Sequence, residues 1–168
     1  MSYDVSYKKD YWFKVPVATA VDHLKRWNVI KQGDFCLDIG CGQGQWTQAA
    51  TKISGNSALG IDFSLVGIKW AKSHFPKSRF EHWDATKFVT DERFSTILMI
   101  SPSFINVKNA LSCKKHLLYT SKFLQPAGRI FWWVGIQQGK DVIKLFETCG
   151  FIVEDVVKGN RIIGRHVS

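Results

Sequence analysis

Nine consecutive residues constrain this chain more than any others: Cys36-Leu-Asp-Ile-Gly-Cys-Gly-Gln-Gly44, an apolar run that enters an acidic loop with glycine at every second position. The pattern is D-x-G-x-G-x-G, with Asp38 two residues ahead of Gly40. Glycine at Gly40, Gly42 and Gly44 admits positive φ and leaves no Cβ in the path of an approaching molecule. A helix is expected from about Trp46, so that its first backbone N–H groups point into the same loop. The order is therefore strand, ligand cradle, helix. It departs from the dinucleotide fingerprint G-x-G-x-x-G, which would put glycine where this chain has Gln45.

Two more acids follow at strand ends. Ala58-Leu-Gly-Ile-Asp62 is a second apolar strand, its acid 18 residues beyond Gly44, and a carboxylate there suits the two hydroxyls of a ribose. Phe63 is next, an aromatic ring able to lie on an adenine face. Arg79-Phe-Glu-His-Trp-Asp84-Ala85 reads as a third strand whose acid is placed to accept from an adenine amino group. With three strands and three acids in this register, residues 34–168 resemble the class I S-adenosylmethionine-dependent methyltransferases. The resemblance implies that the glycine loop, including Cys41 as a neighbour of the ligand, holds the methionine end of S-adenosylmethionine. It implies that Asp62 binds the ribose, that Asp84 and Ala85 address the adenine, and that Asp38 orients the loop and can bond a water or the amino group of the ligand.

A nucleotide-binding domain of the dehydrogenase type is the alternative, and the C-terminus weighs against it. Residues 151–157 and 161–167 are strand-like and flank Lys158-Gly-Asn160, a tight-turn signal that predicts an antiparallel hairpin. The expected fold is three-layer α/β and Rossmann-like: a mostly parallel seven-stranded sheet closed by a C-terminal hairpin, with helices on both faces. At 168 residues one domain is expected, a 1–30 helical lid segment and a 34–168 core.

No run approaches the roughly 18 apolar residues of a membrane span. The first residues, Met1-Ser-Tyr-Asp-Val-Ser-Tyr-Lys, lack an apolar signal core, so a cytoplasmic protein off the membrane is expected. Cys36, Cys41, Cys113 and Cys149 show neither C-x-x-C nor His at ligand spacing; they read as reduced, mostly buried thiols, with no metal site. The net charge of +9 points to an acidic or polyanionic partner, nucleic acid included. Residues 93–140 hold seven Lys or Arg and no Asp or Glu. In the helix expected there, Lys108, Lys115 and Lys122 line one face, and Val107, Ala110, Leu111, Leu117, Leu118 and Leu124 turn to the sheet. The lysines read either as a solvated face or as a basic wall beside the acceptor opening.

Elsewhere, Val17, Ala20, Val21, Leu24 and Trp27 share one face of a first helix behind Pro16. Ahead of it Tyr11, Trp12, Phe13 and Lys14 are candidates for a lid over the acceptor, or for packing. The helix after the glycine loop is expected to use Trp46, Ala49, Ala50 and Ile53. The next opens at Ser64 and is expected to bury Leu65, Ile68, Ala71 and Phe75. Strands four and five are read at residues 96–100 and 129–134.

Past strand four stands Ser101-Pro-Ser-Phe104, similar to the D/N/S-P-P-F/Y/W motif of methyltransferases acting on amino groups. In that family the first residue and the next carbonyl hold the acceptor amine, and the aromatic stacks on its plane. Both contacts serve orientation for in-line attack. Here Ser103 replaces the second proline. Gly44-Gln-Trp-Thr-Gln48 resembles the loop-to-helix junction of ribose 2′-O-methyltransferases of the heat-shock RNA type. Those carry a catalytic aspartate where this chain has Ser101, which argues against that chemistry.

No general base announces itself, since His74, His82 and His116 are scattered. Only Gly135-Ile-Gln-Gln-Gly139 lies between strand five and the last helix, so an open pocket is expected, covered by a large substrate, a second copy or partner subunit, or the N-terminal segment. The expected function is methyl transfer from S-adenosylmethionine to a small planar or anionic metabolite. Amino-group methylation of nucleic acid or protein, and a non-catalytic binding or activator subunit of the same fold, are the alternatives. Ser101 and Phe104 are the catalytic candidates, Ser101 also touching the cofactor; Tyr11, Trp12, Lys14 and Phe104 are the acceptor contacts.

Overall fold

The computed structural model describes residues 15–100, 110–133, 140–157 and 161–167. Among these, in chain order, lie α1 (Val17–Arg26), β1 (Cys36–Ile39), α2 (Gln45–Ser54), β2 (Leu59–Asp62), α3 (Leu65–His74), β3 (Arg79–His82) and β4 (Phe94–Ile100). They are followed by α4 (Ala110–Ser121), β5 (Leu124–Trp133), α5 (Lys140–Thr148), β6 (Phe151–Val157) and β7 (Arg161–His166). The seven strands form one sheet of order β3-β2-β1-β4-β5-β7-β6. Strand order reverses direction at β1, which under right-handed crossovers gives helices on both faces. This is the Rossmann-like α/β class that the strand and acid pattern predicts. The chain divides into two compact units, residues 1–88 and 89–168.

In the first unit β1, β2 and β3 pair in parallel, Asp38 opposite Gly60 and Asp62 opposite His82. Both β1 and β2 are buried along their whole length, as parallel strands covered on two faces should be. Only Phe80 of the edge strand β3 is buried. It packs with Cys41, Ile68 and Ala71, and Phe75 closes the cluster. The α1 stripe is the one expected: Ala20 and Leu24 are buried and Val17, Val21 and Trp27 half-buried. His23 of α1 stacks between Trp27 (centroids 4.8 Å apart) and Trp46 (6.1 Å).

Two helix faces differ from expectation here. Trp46 and Ile53 of α2 are only half-buried, and its inner side is instead Thr47, Gln48, Thr51 and Ser54 beside Ala49 and Ala50. Buried polar groups need partners, and these have them. Ser78 Oγ donates to Gln48 Oε1 at 3.0 Å, the Thr51 and Ser78 hydroxyls bond at 2.9 Å, and Thr51 Oγ1 accepts the Ala58 N–H at 3.0 Å. In α3, Ser64 caps the helix by accepting the Gly67 N–H at 3.2 Å, which turns the first-turn Leu65 outward instead of into the core.

In the second unit β4 and β5 are parallel, and β7 runs antiparallel between β5 and β6. The β6–β7 hairpin has the expected strands; its turn, residues 158–160, lies outside the described residues. β5 begins at Leu124, earlier than expected, across an irregularity with Ala127 at φ +57°. The α4 face is a correction. Cys113, Leu117 and Thr120 point inward, whereas Leu111 is 61% and Leu118 42% exposed. Lys122 falls beyond the helix end, and Val107 and Lys108 lie outside the described residues. Phe146 of α5 is fully buried against Trp132 and Phe151. Glu154 binds Arg165 at 3.0 Å and Arg129 at 3.9 Å. All four cysteines are buried and outside any disulfide, and no helix among the described residues is long and apolar enough to cross a membrane.

Candidate functional site

The glycine loop leaves the carboxyl end of β1, and its three glycines adopt φ +79° (Gly40), +56° (Gly42) and +83° (Gly44). Left-handed backbone at alternate residues coils the chain tightly. Four of its N–H groups are taken up within the chain. Gly40 and Cys41 both donate to the Ile61 carbonyl, at 2.9 and 3.0 Å, and Gly44 donates to the Cys41 carbonyl at 2.8 Å. Gly42 donates to Asp62 Oδ2 at 2.8 Å, while Ser64 donates to Asp62 Oδ1 at the same distance. Asp62, only 5% exposed, is thus the anchor of the loop. The chain itself consumes the N–H groups of Gly40, Cys41, Gly42 and Gly44.

Beneath the loop, Thr47 Oγ1 donates to Asp38 Oδ2 at 2.6 Å, tying the first turn of α2 to β1. Asp38 is buried, and that desolvation pushes its carboxyl up to about 7; the Asp62 charge adds to the rise and the Thr47 bond opposes it. Asp38 therefore lies buried and tied to the first turn of α2, beside the loop. Cys41 lies in the apolar cluster with Phe80, and burial, with the Asp38 and Asp62 charges, raises its thiol well above the ordinary range. What Cys41 gives the loop is backbone.

Two features here escaped the sequence reading. Thr47 is one, with no signal beyond its place three residues after Gly44. Gly60 is the other: a Cβ there would stand 2.7 Å from Thr47 Oγ1 and 2.9 Å from both Cys41 Sγ and the Phe80 ring. Only glycine on β2 leaves room for the Thr47–Asp38 bond.

Phe63, directly after Asp62, is 43% exposed. Its carbonyl is bonded to His82 Nε2 at 2.8 Å. Asp84 sits two residues beyond β3, not at its end, because the Trp83 N–H turns back to the Asp62 carbonyl at 3.0 Å. Its Oδ1 accepts from Thr86 N (2.9 Å) and Thr86 Oγ1 (2.7 Å), and these bonds hold the carboxyl below its usual value. Oδ2 faces Lys87 at 3.8 Å, and Ala85 follows in the same turn. Asp38, the glycine loop, Asp62 and Phe63 thus form one cluster, with Asp84 and Ala85 leashed to it through Trp83. Ser101, Phe104, Tyr11, Trp12, Phe13 and Lys14 lie outside the described residues. Among the described residues no group of three His, Cys, Asp or Glu side chains could hold a metal ion.

Comparison with known proteins agrees with this geometry. Residues 36–128 match the family model described as a methyltransferase domain. Ribosomal RNA large subunit methyltransferase E of Desulfatibacillum aliphaticivorans is 28% identical over 149 residues, 80% of this chain and 66% of that protein. The chain therefore spans less than two thirds of that relative's length. Among solved structures, a TehB-like SAM-dependent methyltransferase from Corynebacterium glutamicum superposes with a TM-score of 0.72 at 19% identity, covering 99% of this chain and 98% of that one. A 1,6-didemethyltoxoflavin-N1-methyltransferase from Burkholderia thailandensis, solved with S-adenosylhomocysteine, gives 0.74 at 16% identity, covering 99% and 86%. At such identities the structural likeness is one of fold. The family match covers the glycine loop, the Asp62 anchor and the strands that carry them, and the chain belongs to the methyltransferase-domain family of class I S-adenosylmethionine-dependent methyltransferases.

Proposed function

We propose that this chain binds S-adenosylmethionine through the Asp62-anchored loop and transfers its methyl group to a small planar or anionic acceptor. The observation that carries the reading is Asp62. Each of its oxygens accepts one backbone N–H, which fixes the carboxylate at the carboxyl end of β2, where an acid suits the two hydroxyls of a ribose. The residues suit the cofactor in other respects: Phe63, 43% exposed, stands for the adenine face, and Asp84 Oδ2 with Ala85 for its amino edge. The tightly coiled loop receives the methionine end, and Asp38 fixes its shape through Thr47. When bound, the cofactor supplies an electrophilic methyl group on a sulfonium. The chain's part is orientation and exclusion of water; an acceptor that is already nucleophilic needs no base. Ser101 and Phe104, directly after β4, hold the acceptor on this reading, with Tyr11, Trp12 and Lys14 over it.

The test is the melting temperature with saturating S-adenosylmethionine, NAD serving as control. At about 100 times Kd a ligand adds about 2.7 kcal/mol, or about 5–10 °C for a domain of this size. A selective shift is expected. Folded protein with no shift favours a non-catalytic module of the same fold. A nucleic-acid acceptor is the second reading, favoured by the +9 charge and by a relative named as a ribosomal RNA methyltransferase. Incorporation of labelled methyl into RNA, and not into low-mass metabolites, would select it.

A further inference from the structure

Where the chain passes from β2 to the cap of α3, successive backbone groups are gripped, and two of the grips come from β3 and the residue after it. The Asp62 carbonyl accepts the Trp83 N–H at 3.0 Å, and the Phe63 carbonyl is bonded to His82 Nε2 at 2.8 Å. A carbonyl oxygen can only accept, so Nε2 carries the proton and donates it. The Ser64 N–H, at the other end of the Phe63–Ser64 peptide, donates to Asp62 Oδ1 at 2.8 Å. His82 closes β3 directly opposite Asp62 in the strand register, from where its ring reaches the next carbonyl of the neighbouring chain. A peptide unit is planar, so one tied at both its C=O and its N–H is fixed as a whole. With the Asp62 carbonyl also held, the peptide planes on both sides of the Phe63 Cα are set, and with them the direction of its Cα–Cβ bond. Phe63 is 43% exposed. A buried ring is aimed by the side chains packed round it, whereas a ring with this much surface in solvent takes more of its direction from the backbone.

We propose that His82 is a positioning residue for the base of the cofactor: through the Phe63 carbonyl it aims the Phe63 ring, and so sets where adenine stacks relative to the ribose acid Asp62. The proposal rests on the S-adenosylmethionine reading above and deepens it. His82 acts through Phe63 and not on the cofactor itself. Its influence is confined to the base, because the ribose and the methionine end answer to Asp62 and the glycine loop. The bonds that hold those, from Gly42 to Asp62 and from Gly40 and Cys41 to Ile61, do not pass through the imidazole. A bond that merely stitched β2 to β3 would behave differently: its loss would weaken the fold and every part of the ligand site alike.

The experiment titrates the whole chain with two ligands: S-adenosylhomocysteine, and S-ribosylhomocysteine, which carries a hydroxyl in place of the base. Wild type is expected to bind the first about 10- to 100-fold more tightly, the gain that stacking of a base on an aromatic ring implies. His82→Ala is expected to narrow that ratio by about 3- to 10-fold while leaving the affinity for S-ribosylhomocysteine unchanged. His82→Gln places an amide N–H at the reach of the imidazole Nε2 and should restore the wild-type ratio. His82→Asn, one methylene shorter, should not. An unchanged ratio in His82→Ala, an equal loss for both ligands, or a glutamine that fails to restore the ratio overturns the proposal. If the alanine variant does not fold, His82→Asn takes its place, and a wild-type ratio there overturns it equally. Wild type that binds the two ligands alike removes the base from the site, and the proposal with it, while leaving the ribose and methionine contacts standing. Wild type that binds neither ligand overturns the S-adenosylmethionine reading itself.

Discussion

Asp62→Asn is the most informative single change, because it keeps shape and removes one acceptor. In the native chain Oδ1 receives the Ser64 N–H and Oδ2 the Gly42 N–H, both at 2.8 Å, in a site only 5% exposed. An amide keeps one oxygen, so one of the two backbone N–H groups must face an NH2 group instead. Hydrogen bonds to a charged acceptor contribute about 1.5–3 kcal/mol, and a stranded buried donor costs about 1–3 kcal/mol. Relief of the Asp38–Asp62 repulsion returns part of this. A net loss of about 2–4 kcal/mol follows, or about 5–15 °C in melting temperature for a chain this long. The assay is thermal and urea unfolding without cofactor. S-adenosylmethionine titration at low temperature, where the variant is folded, then separates binding from stability. A variant that melts with the wild type would refute the anchoring role, whatever its affinity. Loss of Asp62 is therefore expected to weaken the fold and the cofactor site together.

Gly60→Ala inserts a methyl 2.7 Å from Thr47 Oγ1; overpacking of this kind costs about 1–3 kcal/mol, which a urea midpoint should register. Asp38 titrates near 3.8 unfolded and about 7 folded, so its stabilising contribution is complete below pH ~4 and is lost as pH rises through about 7. That displacement corresponds to about 4 kcal/mol at most. Urea midpoints of wild type should therefore fall more between pH 5 and 8 than those of Asp38→Asn, and parallel profiles would refute the buried acid. Lys69, Lys72 and Lys77 are exposed on and after α3 with no acid paired to them among the described residues. If the acceptor is RNA, replacing all three by alanine should reduce the salt dependence of binding a single-stranded RNA by about 2 in log–log slope. An unchanged slope removes that face from the interface.

The parts of the fold legible in the sequence are those where one residue type has one reason to be there. Alternating glycines have a single physical use in a loop, and all three take positive φ. The acid closing β2 was readable for the same reason, and the pairing of β6 with β7 from two apolar runs set close together. Faces were harder. Leu117 and Leu118 are adjacent on a helix and cannot both point inward; the true α4 stripe of Cys113, Leu117 and Thr120 was hidden by a thiol and a hydroxyl. The inner side of α2 was missed because apolar periodicity cannot see a buried face built of Thr47, Gln48 and Thr51. Asp84 was placed at a strand end because nothing in Trp83-Asp84-Ala85 announces the turn back to the Asp62 carbonyl. Gly60 reads as an ordinary strand residue until Thr47, Cys41 and Phe80 converge on it in three dimensions.

The hydroxyl and amide seam under α2 has a mechanical consequence. A helix resting on leucines can slip along its axis or roll by a few degrees at little cost, because one apolar contact replaces another. A helix held by Gln48 to Ser78 and by Thr51 to both Ser78 and the Ala58 amide has discrete positions, since any slide strands several polar groups away from water. The first turn of α2 carries Thr47, and through it the shape of the glycine loop. The seam therefore acts as a detent: it gives the loop one resting position, and makes the departure of a bound molecule a matter of breaking its own contacts instead of loosening the floor beneath it.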